Sequence, residues 1–124
     1  MGRSLRLVTG RLEPGDLVWV NLDPIEGNEQ AGTRPCVVVS SRNHLQAVPT
    51  LVSVVPVTSS DRGWESHIRL EPGRVLPKAS WAMTEQIRTI ARERIQRGNG
   101  RVSKGCLSEM LWWVRAFIAD PARA

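Results

Sequence analysis

Two runs of β-branched residues, Cys36-Val37-Val38-Val39 and Leu51-Val52-Ser53-Val54-Val55-Pro56-Val57-Thr58, commit the chain to a sheet. Valine loses side-chain freedom in a helix and packs well on a pleated surface. The first run follows Arg34-Pro35 and reads as a central strand over 34–41. Pro35 suits a strand's beginning, because it lacks an N–H and biases Arg34 towards an extended backbone. The second run reads as a strand over 51–58, and a polar link around Arg42 to Gln46 separates the two. If they pair antiparallel about a centre near Gln46, partners are residues whose numbers total about 92, and Arg34 faces Thr58 at one end of the sheet.

The remaining pattern surrounds this pair. Gly15 to Leu22 gives another strand, closed by Asp23-Pro24, and residues 25–33, with Gly27, Asn28 and Gly32, form a loop leading into Arg34. Ser66 to Leu70 alternates polar and apolar side chains as a fourth strand. Trp81 to Ile95 stays open between strand and helix, since Ile87, Ile90, Ala91, Arg94 and Ile95 also fit a helical face. Leu107, Met110, Leu111, Val114, Phe117 and Ile118 recur in steps of three and four, with Ser103 as a cap and Asp120-Pro121 as a stop. Short strands and one amphipathic C-terminal helix predict the α+β class, a small β-barrel closed by a helix. A chain of 124 residues, 41% hydrophobic, is expected to bury one core, so residues 1–124 read as one domain. Residues 1–12, with Arg3, Arg6 and Arg11, read as a short basic arm.

No apolar run has the length of a membrane span and the start does not resemble a signal peptide, so the expected location is the cytoplasm with no membrane partner. Cys36 and Cys106 stand apart and outside any metal-ligand spacing, and both read as buried thiols. The net charge of +5 is almost wholly arginine, because Lys78 and Lys104 are the only lysines. Guanidinium groups fork onto phosphate and stack on bases, so this balance points to a polyanion such as nucleic acid. Arg88, Arg92, Arg94, Arg97 and Arg101 form either a phosphate-tracking surface or a solvated rim.

The Arg34–Thr58 end of the sheet can do chemistry without His or metal if the substrate is RNA, which carries its own nucleophile in the neighbouring 2′-OH. Arg34 would hold the phosphoryl oxygens as charge builds, and Thr58 would hydrogen-bond the same group. Glu29, in the loop before Arg34, is the better base, since a threonine hydroxyl is too weak an acid for that role. His44 in the link and His67 on an alternating strand read as structural or solvent-facing. Trp19, Trp81, Trp112 and Trp113 read as core or dimer-interface residues, while Trp64, in the loop from Ser59 to Glu65, is placed to stack on a base.

One long ordered pattern gives this arithmetic a family. Gly15-Asp16-Leu17-Val18-Trp19-Val20, Asp23-Pro24, then Gly27-Asn28-Glu29-Gln30-Ala31-Gly32-Thr33-Arg34-Pro35 followed by Val37-Val38-Val39-Ser40 resembles the N-terminal signature of the MazF/PemK/Kid endoribonuclease toxins. Val55-Pro56-Val57-Thr58 resembles that family's second motif and Glu85-Gln86-Ile87-Arg88-Thr89-Ile90 its third, so the resemblance spans residues 13–118. It implies an SH3-like barrel, usually dimeric, with a strand through Glu85 to Ile90. It also implies Arg34 and Thr58 as catalytic residues, with Glu29 as the acidic residue implicated in some members. On this reading Gln30, Thr33, Ser59, Trp64, Gln86 and Arg88 bind RNA.

The resemblance further implies sequence-selective cleavage of single-stranded RNA, without cofactor or metal, and a cognate antitoxin whose flexible acidic tail suits a +5 toxin. The alternatives are a CcdB-like toxin that binds gyrase without cleaving RNA, and an inactive interaction module on the same fold. The first lacks the Arg-Pro and Val-Thr pairing and ends in a Trp-Gly-Ile type tail, whereas this chain ends Asp120-Pro121-Ala122-Arg123-Ala124. Intact Glu29, Arg34 and Thr58 weigh against the second.

Overall fold

A computed structural model of the chain describes residues 11–22, 32–71 and 76–120. In order these form β1 (Asp16–Asn21), β2 (Thr33–Val38), α1 (Arg42–Ala47), β3 (Leu51–Thr58), β4 (His67–Leu70), β5 (Ser80–Met83), β6 (Arg88–Ala91), β7 (Ile95–Arg101) and α2 (Lys104–Ile118). Short 3-10 turns stand at Thr84–Gln86 and Arg92–Arg94. Every ladder is antiparallel, in the order β4-β5-β3-β2-β1-β7, with β6 also on β3. The result is a curled antiparallel sheet with a C-terminal helix, an α+β fold. Among the described residues no ladder joins β4 to β7, the two ends of the path.

The register of the central pair is the one the valine runs predict: Cys36 faces Pro56, Val37 faces Val55 and Val38 faces Val54. The connection differs from a plain link, because Ser41 caps a short helix by accepting the His44 N–H at 3.0 Å. The Arg92 guanidinium then donates to the carbonyls of Leu45 and Val48, groups that a helix end leaves open, and at 2.9 Å to that of Leu51 at the start of β3. The ladder of β2 stops at Val38 rather than 41, since the Ser40 hydroxyl accepts the Ser53 N–H at 2.7 Å where a carbonyl would otherwise bond. His44 belongs to this local structure, with Nδ1 at 2.7 Å from Ser40 Oγ.

The expected strand through Glu85 to Ile90 is broken, and the registers show why. Val57 faces Ala82 and Val54 faces Arg88, so three steps along β3 correspond to six along its partner. The three surplus residues, Thr84–Gln86, leave the ladder as a 3-10 turn. Pairing resumes at Arg88, and Ile95–Arg101 adds a strand on β1, beginning where the open stretch ended, that the sequence pattern did not announce.

Two apolar clusters, rather than one core, use opposite faces of the same strands. Val18, Val20, Cys36, Val38, Val52 and Val54 enter one cluster, with Leu45 of α1. Leu17, Val37, Val39, Val55 and Val57 enter the other, under Met110 and Val114 of α2. Alternation along a strand sends neighbours to opposite sides, so a continuous valine run needs cover on both. Gly15 takes φ +94° in the turn before β1, a backbone conformation that favours glycine, and packs against Leu107 of α2. Ser103 caps α2 by accepting the Cys106 N–H at 3.1 Å, and the helix ends at Ile118. Its last turn departs from the expected buried stripe, because Phe117 is 49% and Ile118 70% exposed. No helix among the described residues is long and apolar enough to cross a membrane.

Candidate active site

A cavity of about 600 Å³ opens where β2 begins and β3 ends. Arg34, Arg62 and Lys78 bring positive charge to its lining, Thr33, Thr58, Ser59, Ser60 and Ser80 bring hydroxyls, and Gln86 brings an amide. Trp19, Pro35, Val57, Leu76, Pro77 and Met83 supply apolar surface. Continuing the β2–β3 register by two places sets Arg34 opposite Thr58, and the two share one face because each lies an even number of residues from a paired partner. A pocket of cations, hydroxyls and one indole suits a phosphate attached to a planar base.

Local hydrogen bonds orient the lining. Thr58 Oγ1 accepts the Ser60 N–H at 3.1 Å, which occupies a lone pair and leaves the hydroxyl proton for another acceptor. The Thr33 hydroxyl donates to Gln96 Oε1 of β7 at 3.2 Å. Trp19 stands opposite Pro35 across the β1–β2 ladder, with the Arg97 guanidinium 4.7 Å from its ring centre. Arg34 and Arg88 both favour the thiolate of Cys36, yet burial dominates and pushes that thiol up to about 12. Cys106 is pushed up to about 11 by burial, with Glu109 adding to the rise. Both thiols are therefore protonated at neutral pH; Cys36 is buried as expected, whereas Cys106 is only half-buried.

Behind the cavity wall, Glu85 accepts from Ser66 Oγ at 3.2 Å and from His67 Nε2 at 2.9 Å. Burial alone would raise this carboxyl. The bonds from His67, its own amide and Ser66, together with attraction to His67, outweigh burial and hold it below its ordinary value. A carboxylate cannot donate, so the proton in that contact sits on Nε2. Trp64 lies against the same imidazole, ring centres 4.8 Å apart and planes tilted by 40°.

Of the residues singled out from sequence, Arg34, Thr58, Thr33, Ser59 and Gln86 line the one cavity. Glu29 and Gln30 lie outside the described residues, as do residues 1–10 of the basic arm. Trp64 and Arg88 are not in the lining: Trp64 is 51% exposed, and Arg88 of β6 pairs with Val54 of β3. Trp19, read as a packing residue, is half-buried in the lining, and Trp112 is 60% exposed. The arginine cluster divides as well, since Arg92 holds α1, Arg97 covers Trp19, and Arg101 lies 3.3 Å from Asp16 and donates to the Pro14 carbonyl. Sequence reasoning missed Arg62 and Lys78 as lining cations. Arg62 had a signal, a lone cation in the loop directly after Thr58, whereas Lys78 reaches the cavity only through the path of the chain before β5.

Comparison with known proteins gives this geometry its context. The endoribonuclease MazF9 of Mycobacterium tuberculosis is 37% identical over 109 residues, covering 77% of this chain and 86% of that protein. The Escherichia coli endoribonuclease toxin MazF is 32% identical over 105 residues, covering 84% and 87%. The crystal structure of a MazE–MazF complex from Deinococcus radiodurans has a chain that superposes with a TM-score of 0.73 at 24% identity, covering 89% of this chain and 97% of that one, a likeness of fold. The family model of PemK-like, MazF-like toxins matches residues 13–118, and the chain belongs to that family of type II toxin–antitoxin toxins.

Proposed function

We propose that the protein is a sequence-selective endoribonuclease that cuts single-stranded RNA by attack of a 2′-OH on the adjacent phosphorus. The 2′-oxygen bonds to phosphorus as the bond to the 5′-oxygen breaks, leaving a 2′,3′-cyclic phosphate and a 5′-OH. The 2′ proton passes to a base and the leaving oxygen takes up one, so charge peaks on the non-bridging oxygens between these events. The observation that carries this reading is the meeting of Arg34 and Thr58 in one cavity at the end of β2 and β3. A forked guanidinium and a hydroxyl whose proton is available form a donor pair for those oxygens, and such donors act most strongly where charge develops. Glu29, five residues before Arg34, is the proposed base. Thr33, Ser59 and Gln86 in the lining and Arg62 and Lys78 beside them bind the strand, with Trp64 and Arg88 engaging it beyond the cavity and Gln30, outside the described residues, as a further contact.

The proposed partners follow from charge and exposure. An antitoxin with a flexible acidic tail matches the +5 net charge and competes with RNA for the cations of the cavity, so its inhibition weakens as salt rises. Exposed Trp112, Phe117 and Ile118 at the end of α2 support a homodimer that covers them. Purified protein incubated with one long RNA tests the activity. Cuts should recur at one short sequence, carry cyclic phosphate and 5′-OH ends, and persist in EDTA; random cuts or 3′-OH ends would contradict the proposal.

A further inference from the structure

Three side-chain hydrogen bonds join two segments that carry separate parts of the cavity wall. Ser66 Oγ and His67 Nε2 both donate to the Glu85 carboxylate, at 3.2 and 2.9 Å, and Thr84 Oγ1 donates to the Ser66 carbonyl at 2.7 Å. The Thr84 bond is buried, and the two bonds to Glu85 are part-buried, with the His67 side chain 1% and the Glu85 side chain 21% exposed. On one side, the chain from Ser59 through Arg62 runs into Ser66; on the other, the turn ends at Gln86, whose Nε2 donates to Glu85 at 3.4 Å. The loop's other bonds are local. Ser60 N–H reaches Thr58, Gly63 N–H reaches Asp61 Oδ1 at 2.9 Å, and His67 N–H reaches the Trp64 carbonyl at 3.0 Å. They shape the loop, while the β4–β5 ladder, whose pair nearest the turn is His67 with Met83, joins the loop's end to the strand before the turn and leaves the turn itself to side-chain bonds.

We infer that Glu85 is a positioning residue for RNA: its carboxylate clamps the 59–66 loop to the Thr84–Gln86 turn and so sets the spacing between the wall bearing Ser59 and Arg62 and the wall bearing Gln86. The same clamp holds the imidazole against which Trp64 rests. The turn exists because three residues leave the β3 ladder, and a turn without ladder bonds needs side chains to hold its place. Glu85 lies outside the cavity lining, so it acts on binding and selectivity through its neighbours and not on the reacting phosphate. The inference rests on the RNA-cleaving reading of the cavity.

The test is steady-state cleavage of a short RNA by wild type, Glu85→Gln, His67→Gln and the double variant, with thermal melts of each. Each single change should raise KM about tenfold while kcat stays within about twofold, the pattern of lost binding. The double variant should lose less than the product of the two single losses, because both changes act on the shared His67–Glu85 contact. Cleavage at near-cognate sequences should rise relative to the cognate one. If Glu85→Gln melts early, Ser66→Ala, which removes one donor and keeps the carboxylate, should show the same KM rise at smaller size, about threefold. Unchanged KM and selectivity in active Glu85→Gln enzyme, or a fall confined to kcat, would overturn the inference and leave the proposed function standing. A wild type that leaves RNA intact would overturn both.

Discussion

The Thr58 hydroxyl accepts the Ser60 amide at 3.1 Å, so the loop that follows β3 occupies one of its lone pairs and leaves its proton for another acceptor in the cavity that Arg34 shares. A prediction follows from the hydroxyl alone. Thr58→Ser should retain activity within about tenfold, whereas Thr58→Val, which keeps the shape and loses the donor, should lower the single-turnover rate about a hundredfold. Unaltered melting temperatures would separate this loss from unfolding.

Arg34 is assigned a forked contact, which a lysine cannot reproduce. Arg34→Ala should lower the cleavage rate by about two orders of magnitude, and Arg34→Lys should recover no more than about tenfold of it. Full recovery by lysine, measured at one fixed salt concentration, would mean that only a point charge is needed there.

The strands that build the site were legible because their residues admit few alternatives. The two valine runs, their centre near Gln46 and the position of Pro35 set the β2–β3 register, and with it the approach of Arg34 to Thr58. The C-terminal helix was legible from its apolar steps and its Ser103 cap. The Thr84–Gln86 turn was not, since the three-residue surplus against β3 appears only once both partners of the ladder are known. Helix α1 was hidden because its end is satisfied by Arg92, from forty-odd residues further along the chain. The same limit applies to Glu85 and His67, whose pairing depends on two turns meeting.

The Glu85 carboxyl supplies a pH test. Because its folded-state pKa lies below the ordinary 4.5, its contribution to stability is present above that value and is lost as pH falls through the folded-state pKa. The melting temperature of wild type should exceed that of Glu85→Gln at neutral pH, and the gap should close on acidification below about 4.5. A gap that persists in strong acid would show that the bonds to Ser66 and His67 do not depend on the charge.

Arg92 serves the fold and not the site. Its guanidinium donates to three carbonyls around the end of α1, and removal leaves those groups short of partners. Arg92→Ala should cost about 2 kcal/mol in denaturant unfolding, and Arg92→Lys should restore little of it, since one ammonium lacks the fork. RNA binding by the folded protein should change far less than in Arg34→Ala.

The central claim is that the substrate supplies its own nucleophile at the Arg34–Thr58 site. One oligonucleotide made twice, as all-RNA and with a single 2′-deoxy nucleotide immediately 5′ to the mapped cut, tests it directly. The account predicts that the substituted strand binds with similar affinity and is not cut at that position, while the all-RNA strand yields cyclic phosphate and 5′-OH ends. Cleavage of the substituted strand at the normal rate would contradict it.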